Sequence, residues 1–336
     1  MGAKIEAIAY YYPKNTLTNQ DLKELYPGYD FQRFEEKVGI KTRYIADEYE
    51  TALDLAYQAS LSLFERIDKD RIDFILYCTQ SPEYIIPSTA CLLQKRLDFG
   101  SHVGAFDFNL GCSGFVYGIS MAKAFINSGQ AKNVLLVTTD TYSKYVHPHD
   151  RSSRSIFGDG AAATLVTSSE VEQIFTFKFG TDGEGHDKLI IRNGATRHKY
   201  DQNAEEHHYG RGNVYTDNNL YMNGPEVFRF TSSVIPPFVE KVLAENNMRK
   251  KDIDQYVFHQ ANAYMLNQMR RTLGIDASKF YIDLANGGNT VSSTIPIALK
   301  NYSDNCMHKQ QETVLICGFG VGLSWAGGVI TLDKGI

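Results

Sequence analysis

Stretches about 180 residues apart repeat one another along this chain. RIDFILYCTQ, beginning at Arg71, matches DIDQYVFHQA, beginning at Asp252. AFDFNLGC, ending at Cys112, matches YIDLANGGN, ending at Asn289. NVLLVTTD near residue 135 matches TVLICGFG near 315. Recurrence at a fixed long offset points to two copies of one folding unit. Each copy mixes continuous apolar runs, of the kind buried in a parallel sheet, with helical patterns. The expected fold is α/β, built from two similar halves, 1–170 and 171–336. If they pack about a pseudo-twofold axis, the ends of equivalent strands meet. Cys112 and Asn289 hold equivalent positions, each after a strand and before a helix. His259 ends the strand equivalent to the one ending at Cys78. Ligands bind beyond the carboxyl ends of strands in open α/β sheets. Cys112, His259 and Asn289 are therefore expected to converge on one pocket.

The first half reads as follows. KIEAIAYYY is a strand stopped by Pro13, and Thr18-Asn19-Gln20-Asp21 is a helix start. Residues 26–48 are polar. A helix is expected at about 51–66, a buried strand at IDFILYCTQ, and a helix opened by Pro87-Ser88. FDFNLGCSGFVYG, residues 106–118, then reads as strand, tight turn, helix. Phe115, Val116, Ile119, Ala122 and Ile126 recur at helical spacing. Cys112 would stand at that helix N-terminus, where free N–H groups and the helix dipole favour a thiolate. A nucleophile would be placed this way, although a free cysteine is more often a small buried hydrophobe. Cys78, Cys91, Cys306 and Cys317 are expected to be that.

Ordinary roles compete with the chemical ones elsewhere. His259, in FHQANAYML, could be a core histidine, but Gln260 and Asn262 add polar groups that a core strand end does not need. Asn289, in NGGNTVSSTIP, could be a turn or cap residue. GFGVGLSWAGG lacks the lysine of a phosphate loop and suits a backbone turn that points N–H groups into a pocket. His198, His207 and His208 match no structural zinc spacing and read as a solvated loop. They lie in a polar segment, 193–220, long enough to cover a pocket mouth.

A net charge of −5 argues against general nucleic-acid binding. Five cysteines without paired spacing argue against a disulfide scaffold and for a reducing, cytoplasmic setting. No run approaches the roughly 18 apolar residues of a membrane span, and MGAKIEAIAYYYP lacks the parts of a signal peptide.

NLGCSGFVYG, FHQAN, GGNT and GFGVGLSWAG, in that order, jointly resemble beta-ketoacyl-ACP synthase III of the thiolase superfamily. PSTACLLQKRL, IFGDGAAATLV and YMNGPEVF resemble its connecting segments, and the likeness spans about residues 3–333. The resemblance implies a five-layered αβαβα sandwich, a homodimer, no metal and no resident cofactor. It implies that an acyl-CoA acylates Cys112, and that malonyl-ACP is then decarboxylated and condensed to a 3-oxoacyl-ACP. His259 and Asn289 would stabilise the enolate, and the backbone N–H groups of Cys112 and Val321 the other oxyanion. By the same likeness, Arg151 contacts CoA, Asn262 supports the site and Ile86 reaches into a partner's acyl pocket.

Three departures accompany the likeness. Arg33 stands where the family often has a tryptophan that stacks on the CoA adenine, a role a guanidinium can also fill. Tyr264 replaces a basic residue implicated in carrier docking, leaving Arg271 nearby. The 193–220 segment is unusually polar. A pathway-specific paralogue fits these departures. Two other readings compete: an acyltransferase with a non-malonyl acceptor, against which the retained Asn289 argues, and, ranked last, a non-catalytic subunit, against which all three retained residues argue.

Overall fold

Apolar runs of strand length become two five-stranded sheets in the computed structural model, which describes residues 2–336. The first sheet holds β1 (Gly2–Tyr11), β2 (Phe74–Cys78), β3 (Gly104–Phe108), β4 (Asn133–Asp140) and β5 (Gly160–Ser169), ordered β1-β5-β4-β2-β3. The second holds β6 (Ile174–Thr181), β7 (Gln255–Phe258), β8 (Phe280–Tyr281), β9 (Gln311–Gly320) and β10 (Ser324–Asp333), ordered β6-β10-β9-β7-β8. The orders coincide strand for strand. So do the senses: β2 runs parallel to β3 and β4, as β7 does to β8 and β9, while the remaining pairs are antiparallel. The internal likeness in the sequence is a true structural repeat. Its parallel registers, Cys78 opposite Phe108 and Phe258 opposite Cys317, bring the segments after β3 and after β7 out at the carboxyl ends of their sheets.

Helices complete the layers: α1 (Phe31–Val38), α2 (Ala52–Phe64), α3 (Thr89–Arg96), α4 (Gly114–Asn127), α5 (Gly224–Glu245), α6 (Ala263–Leu273) and α7 (Thr294–Asn305). Successive residues of a strand face opposite ways, so each sheet has two apolar faces to cover. Inward, Leu76 and Leu136 of the first sheet and Val257 and Ile316 of the second pack on α4 and α7 through Phe115, Ile119, Ile295 and Leu299. Outward, Ile75 and Tyr77 are covered by Leu55, Ala59 and Leu93. Tyr256 and Phe258 are covered by Phe238, Val239 and Leu266. The result is the expected αβαβα sandwich. Each fully buried Leu, Ile or Phe contributes about 1.5–3 kcal/mol, which makes the shared central layer the main bond between the halves.

Several local expectations shift. The polar stretch 26–48 contains α1, which buries only Phe31 and Phe34, is capped by Asp30 and ends on left-handed Gly39. Thr51 and Asp54 form a capping box, so α2 opens at Ala52; α3 opens at Thr89 with Ser88 as its cap. Cys91 is exposed on α3 and Cys306 half-buried, so of the four cysteines read as core residues only Cys78 and Cys317 are fully buried. Within 193–220 a hairpin pairs His207–Tyr209 with Asn213–Tyr215. No helix is long and apolar enough to cross a membrane, among the described residues.

Candidate active site

Cys112 lies in the turn between β3 and α4. Ser113 is the helix N-cap and Gly114 the first helical residue, so the cysteine stands just ahead of the helix. Strand β9 presses against this turn without side chains. A Cβ at Gly318 would come 2.8 Å from the carbonyl oxygen of Cys112, and one at Gly320 would come 2.7 Å from its Sγ. The glycines of GFG thus permit a close backbone approach. A hydroxyl contact of 2.5 Å between Ser113 and Ser324 ties the turn to β10. Cys112 is 5% exposed. Burial pushes its thiol up to about 12, although the backbone N–H groups of Val321 and of Cys112 itself bear on the sulfur and pull the other way. Against the thiolate preference expected from the helix start, burial outweighs these N–H groups.

His259 follows β7 directly, and its N–H donates to Cys317 O at 2.8 Å. Its Nδ1 lies 2.7 Å from Thr294 Oγ1 at the start of α7. Burial pulls the imidazole down to about 3, so the ring is neutral at ordinary pH. Asn289 is held on both sides. Its backbone N–H donates to Ile156 O at 2.9 Å, and its Oδ1 accepts the N–H of Val291 at 2.9 Å. Val291 adopts φ of 56°, left-handed geometry that a β-branched residue rarely takes and that costs about 1–3 kcal/mol. That strain aims an N–H at the asparagine carbonyl and leaves its amide N–H2 unspent.

Cys112, His259 and Asn289 line one cavity of about 800 Å³. Phe157 and Leu189 form part of its apolar wall beside the cysteine. Behind them Tyr142 donates to Gln80 Oε1 at 2.5 Å. The mouth carries Arg33 and Lys37 of α1, Arg151, and Arg211 from the hairpin. The Arg151 guanidinium sits 3.7 Å from the ring centre of Tyr29, and Lys37 lies 4.5 Å from that of Tyr264. Asn262 lines the cavity while its Oδ1 caps α6 at Met265 N, 2.9 Å away, so it fills the ordinary role as well. Ile86 is 84% exposed and outside this cavity, and Arg271 is exposed on α6. His198, His207 and His208 are exposed. Among the described residues no three His, Cys, Asp or Glu side chains are grouped to hold a metal ion.

Sequence reading misses Lys37, Arg211, Gly320 and Thr294. The first two are lone cations in polar segments. The last two gain meaning only from their distance to Cys112 and His259. Asp140, at the end of β4, is also missed. Burial raises it to about 7, and it accepts bonds from Gln80 N at 2.7 Å and Ser292 Oγ at 2.6 Å.

A family profile described as 3-Oxoacyl-[acyl-carrier-protein (ACP)] synthase III matches residues 106–183, and its C-terminal counterpart matches 243–332. Beta-ketoacyl-[acyl-carrier-protein] synthase III of Clostridium tetani (strain Massachusetts / E88) is 34% identical over 329 residues, 97% of either chain. The chain belongs to the beta-ketoacyl-[acyl-carrier-protein] synthase III family. It is thus a condensing, acyl-transferring enzyme. A solved 3-oxoacyl-(acyl-carrier-protein) synthase III matches this synthase III with TM-score 0.96 and 44% identity, covering 98% of this chain and 99% of that one. The priming beta-ketosynthase of the R1128 polyketide pathway matches with TM-score 0.88 and 26% identity, covering 100% and 97%.

Proposed function

We propose that this synthase III carries an acyl group on Cys112 from acyl-CoA to malonyl-ACP. The units 1–170 and 171–336 divide the labour: the first brings the nucleophile, the second the two donors. The Cys112 sulfur attacks the acyl-CoA carbonyl, and CoA leaves as its thiol. Malonyl-ACP then enters and loses CO2. Its thioester enolate oxygen is received by His259 Nε2–H and Asn289 Nδ2–H, two neutral donors in a buried site. The enolate carbon attacks the acyl-Cys112 carbonyl, the C–S bond breaks, and a 3-oxoacyl-ACP departs. The N–H groups of Cys112 and Val321 hold the oxyanion of each tetrahedral stage.

One observation carries the reading. Cys112, His259 and Asn289 share a cavity, and the inward holds on Nδ1 and Oδ1 leave one nitrogen free on each of the latter two. The cationic mouth suits the phosphates of CoA. Arg33 and Arg151 offer flat guanidinium faces to its adenine, and Asn262 supports the pocket floor. The chain acts without metal or cofactor, as a homodimer in the cytoplasm, where its five cysteines remain free. Exposed Ile86 is then a contribution to the partner's acyl pocket. The reaction serves fatty acid initiation or a specialised pathway of like chemistry.

Intact-protein mass after exposure to short, medium, branched and aromatic acyl-CoAs tests this, with Cys112→Ala as control. The expected result is a mass gain that needs Cys112, followed by its loss and 3-oxoacyl-ACP formation on adding malonyl-ACP. Acylation without malonyl-dependent turnover would point to a different acceptor, and no acylation at all would defeat the reading.

A further inference from the structure

An enolate donor at His259 needs its proton on one particular nitrogen. A neutral imidazole has a single N–H, and the site itself must choose where it resides. Nδ1 is engaged by Thr294 Oγ1 at 2.7 Å, between side chains 2% and 3% exposed. Nε2 has no hydrogen-bond partner among the described residues, and it is not sealed in, since the ring lines the cavity. We propose that Thr294 places the proton: its hydroxyl donates to Nδ1 and so holds His259 with hydrogen on Nε2, facing the cavity. This rests on the enolate reading above and assigns a positioning residue to it.

The hydroxyl has one proton and two candidate acceptors. Val291 O lies 3.2 Å away, and His259 Nδ1 lies 2.7 Å away. O–H···O bonds run to about 3.0 Å, so the carbonyl contact is long for a hydroxyl donor. The opposite arrangement, ring N–H donating to the hydroxyl, spans about 2.7–3.2 Å; the observed 2.7 Å stands at its short limit and at the centre of the range for a hydroxyl donor. A second feature agrees. Asn289 has its acceptor atom held by Val291 N–H, which leaves its donor free. Residues 289–294 thus treat both side chains alike: each has its inner atom held from this one segment and keeps an N–H for the substrate.

The assignment separates the two half-reactions. A ring bearing hydrogen on Nε2 can donate to an enolate but cannot take the Cys112 proton. Acylation should therefore depend little on Thr294, and condensation strongly. The test begins with the full-length wild-type enzyme, uniformly 15N-labelled at histidine. Of its nine histidines, His259 is identified by the signals that His259→Gln removes. The expected spectrum has Nδ1 bare and Nε2 protonated at pH 7. Protonated Nδ1 would overturn the proposal without any variant having to fold.

Thr294→Val and Thr294→Ser supply the kinetic arm. Loss of one oxyanion donor typically costs about 10²–10³ in rate, and Thr294→Val frees the ring to sample both tautomers. Malonyl-ACP condensation by pre-acylated Thr294→Val should fall about tenfold more than Cys112 acylation falls. Thr294→Ser, which keeps the hydroxyl, should restore condensation to within about threefold of wild type. Equal losses in both half-reactions, or no rescue by serine, would overturn the proposal. If wild-type enzyme does not decarboxylate malonyl-ACP at all, the enolate reading fails; the nitrogen spectrum still decides where the proton lies.

Discussion

Gly320→Ala adds one methyl group at the point where strand and nucleophile are closest. Its Cβ would stand 2.7 Å from Cys112 Sγ and 2.8 Å from Cys112 Cβ. Carbon contacts are relaxed only from about 3.5 Å, so something must yield by roughly 0.8 Å. The backbone at 320 is not left-handed, and alanine meets no torsional penalty there. The strain is therefore pure overlap. Cys112 has little room to retreat, because its turn is tied to β10 through Ser113 and Ser324. Overpacking of this kind costs about 1–3 kcal/mol. A shift near 1 Å at a reacting atom costs about 10²-fold in rate. Gly320→Ala should therefore acylate about a hundredfold more slowly while its melting midpoint falls by only a few degrees. Gly318→Ala is the contrast. Its methyl would meet Cys112 O and Ser113 Cα, both at 2.8 Å, and backbone must move with it. It should lose more stability than Gly320→Ala. The assays are the time course of intact-mass acylation and thermal unfolding of both variants. Wild-type acylation by Gly320→Ala would refute the reasoning, as would a rate loss no larger than its unfolded fraction explains.

Cys112→Ala should abolish acylation and condensation together, whereas His259→Ala should retain part of the acylation, both read by intact mass. With the thiol raised to about 12 and His259 lowered to about 3, acylation should climb about tenfold per pH unit from 7 to 9. In contrast, condensation by pre-acylated enzyme should show no histidine inflection from pH 8 down to 5, because the imidazole protonates only below that window. An acylation plateau near pH 7 or a condensation step near 6.5 in stopped-flow profiles would contradict those shifts. Ile86→Glu places a charge on a residue 84% exposed in one chain; on the proposed homodimer, light scattering should show dimeric wild type and a weakened or monomeric variant, with acylation slowed in parallel.

How far the sequence speaks depends on whether a signal is local. Cys112, His259 and Asn289 are legible because each lies at or just beyond the end of a strand-like run, and because the repeat aligns those ends. Identical strand orders in the two sheets explain why equivalent strand ends approach each other. Helix α1 is not legible: it has two buried residues among charged ones, and it holds because Phe31 and Phe34 dock on a cluster supplied mainly by the second half. The Cys112 thiol fails for a related reason. A helix start is written in neighbouring residues, while part of the packing that buries the sulfur comes from Gly320 on the opposite sheet, some 200 residues onward. Thr294 marks the limit most clearly. VSST before an apolar run reads only as a helix start, because Ser and Thr hydroxyls serve caps, turns and side-chain partners alike. Its meaning comes from His259, 35 residues earlier and on another element. Residue types that do chemistry are thus encoded locally, but the choice of which atom faces the substrate is made by contacts within the second half, one of them between elements 35 residues apart. A synthase of this family could therefore keep all three site residues and still lose condensation through a change at 291 or 294.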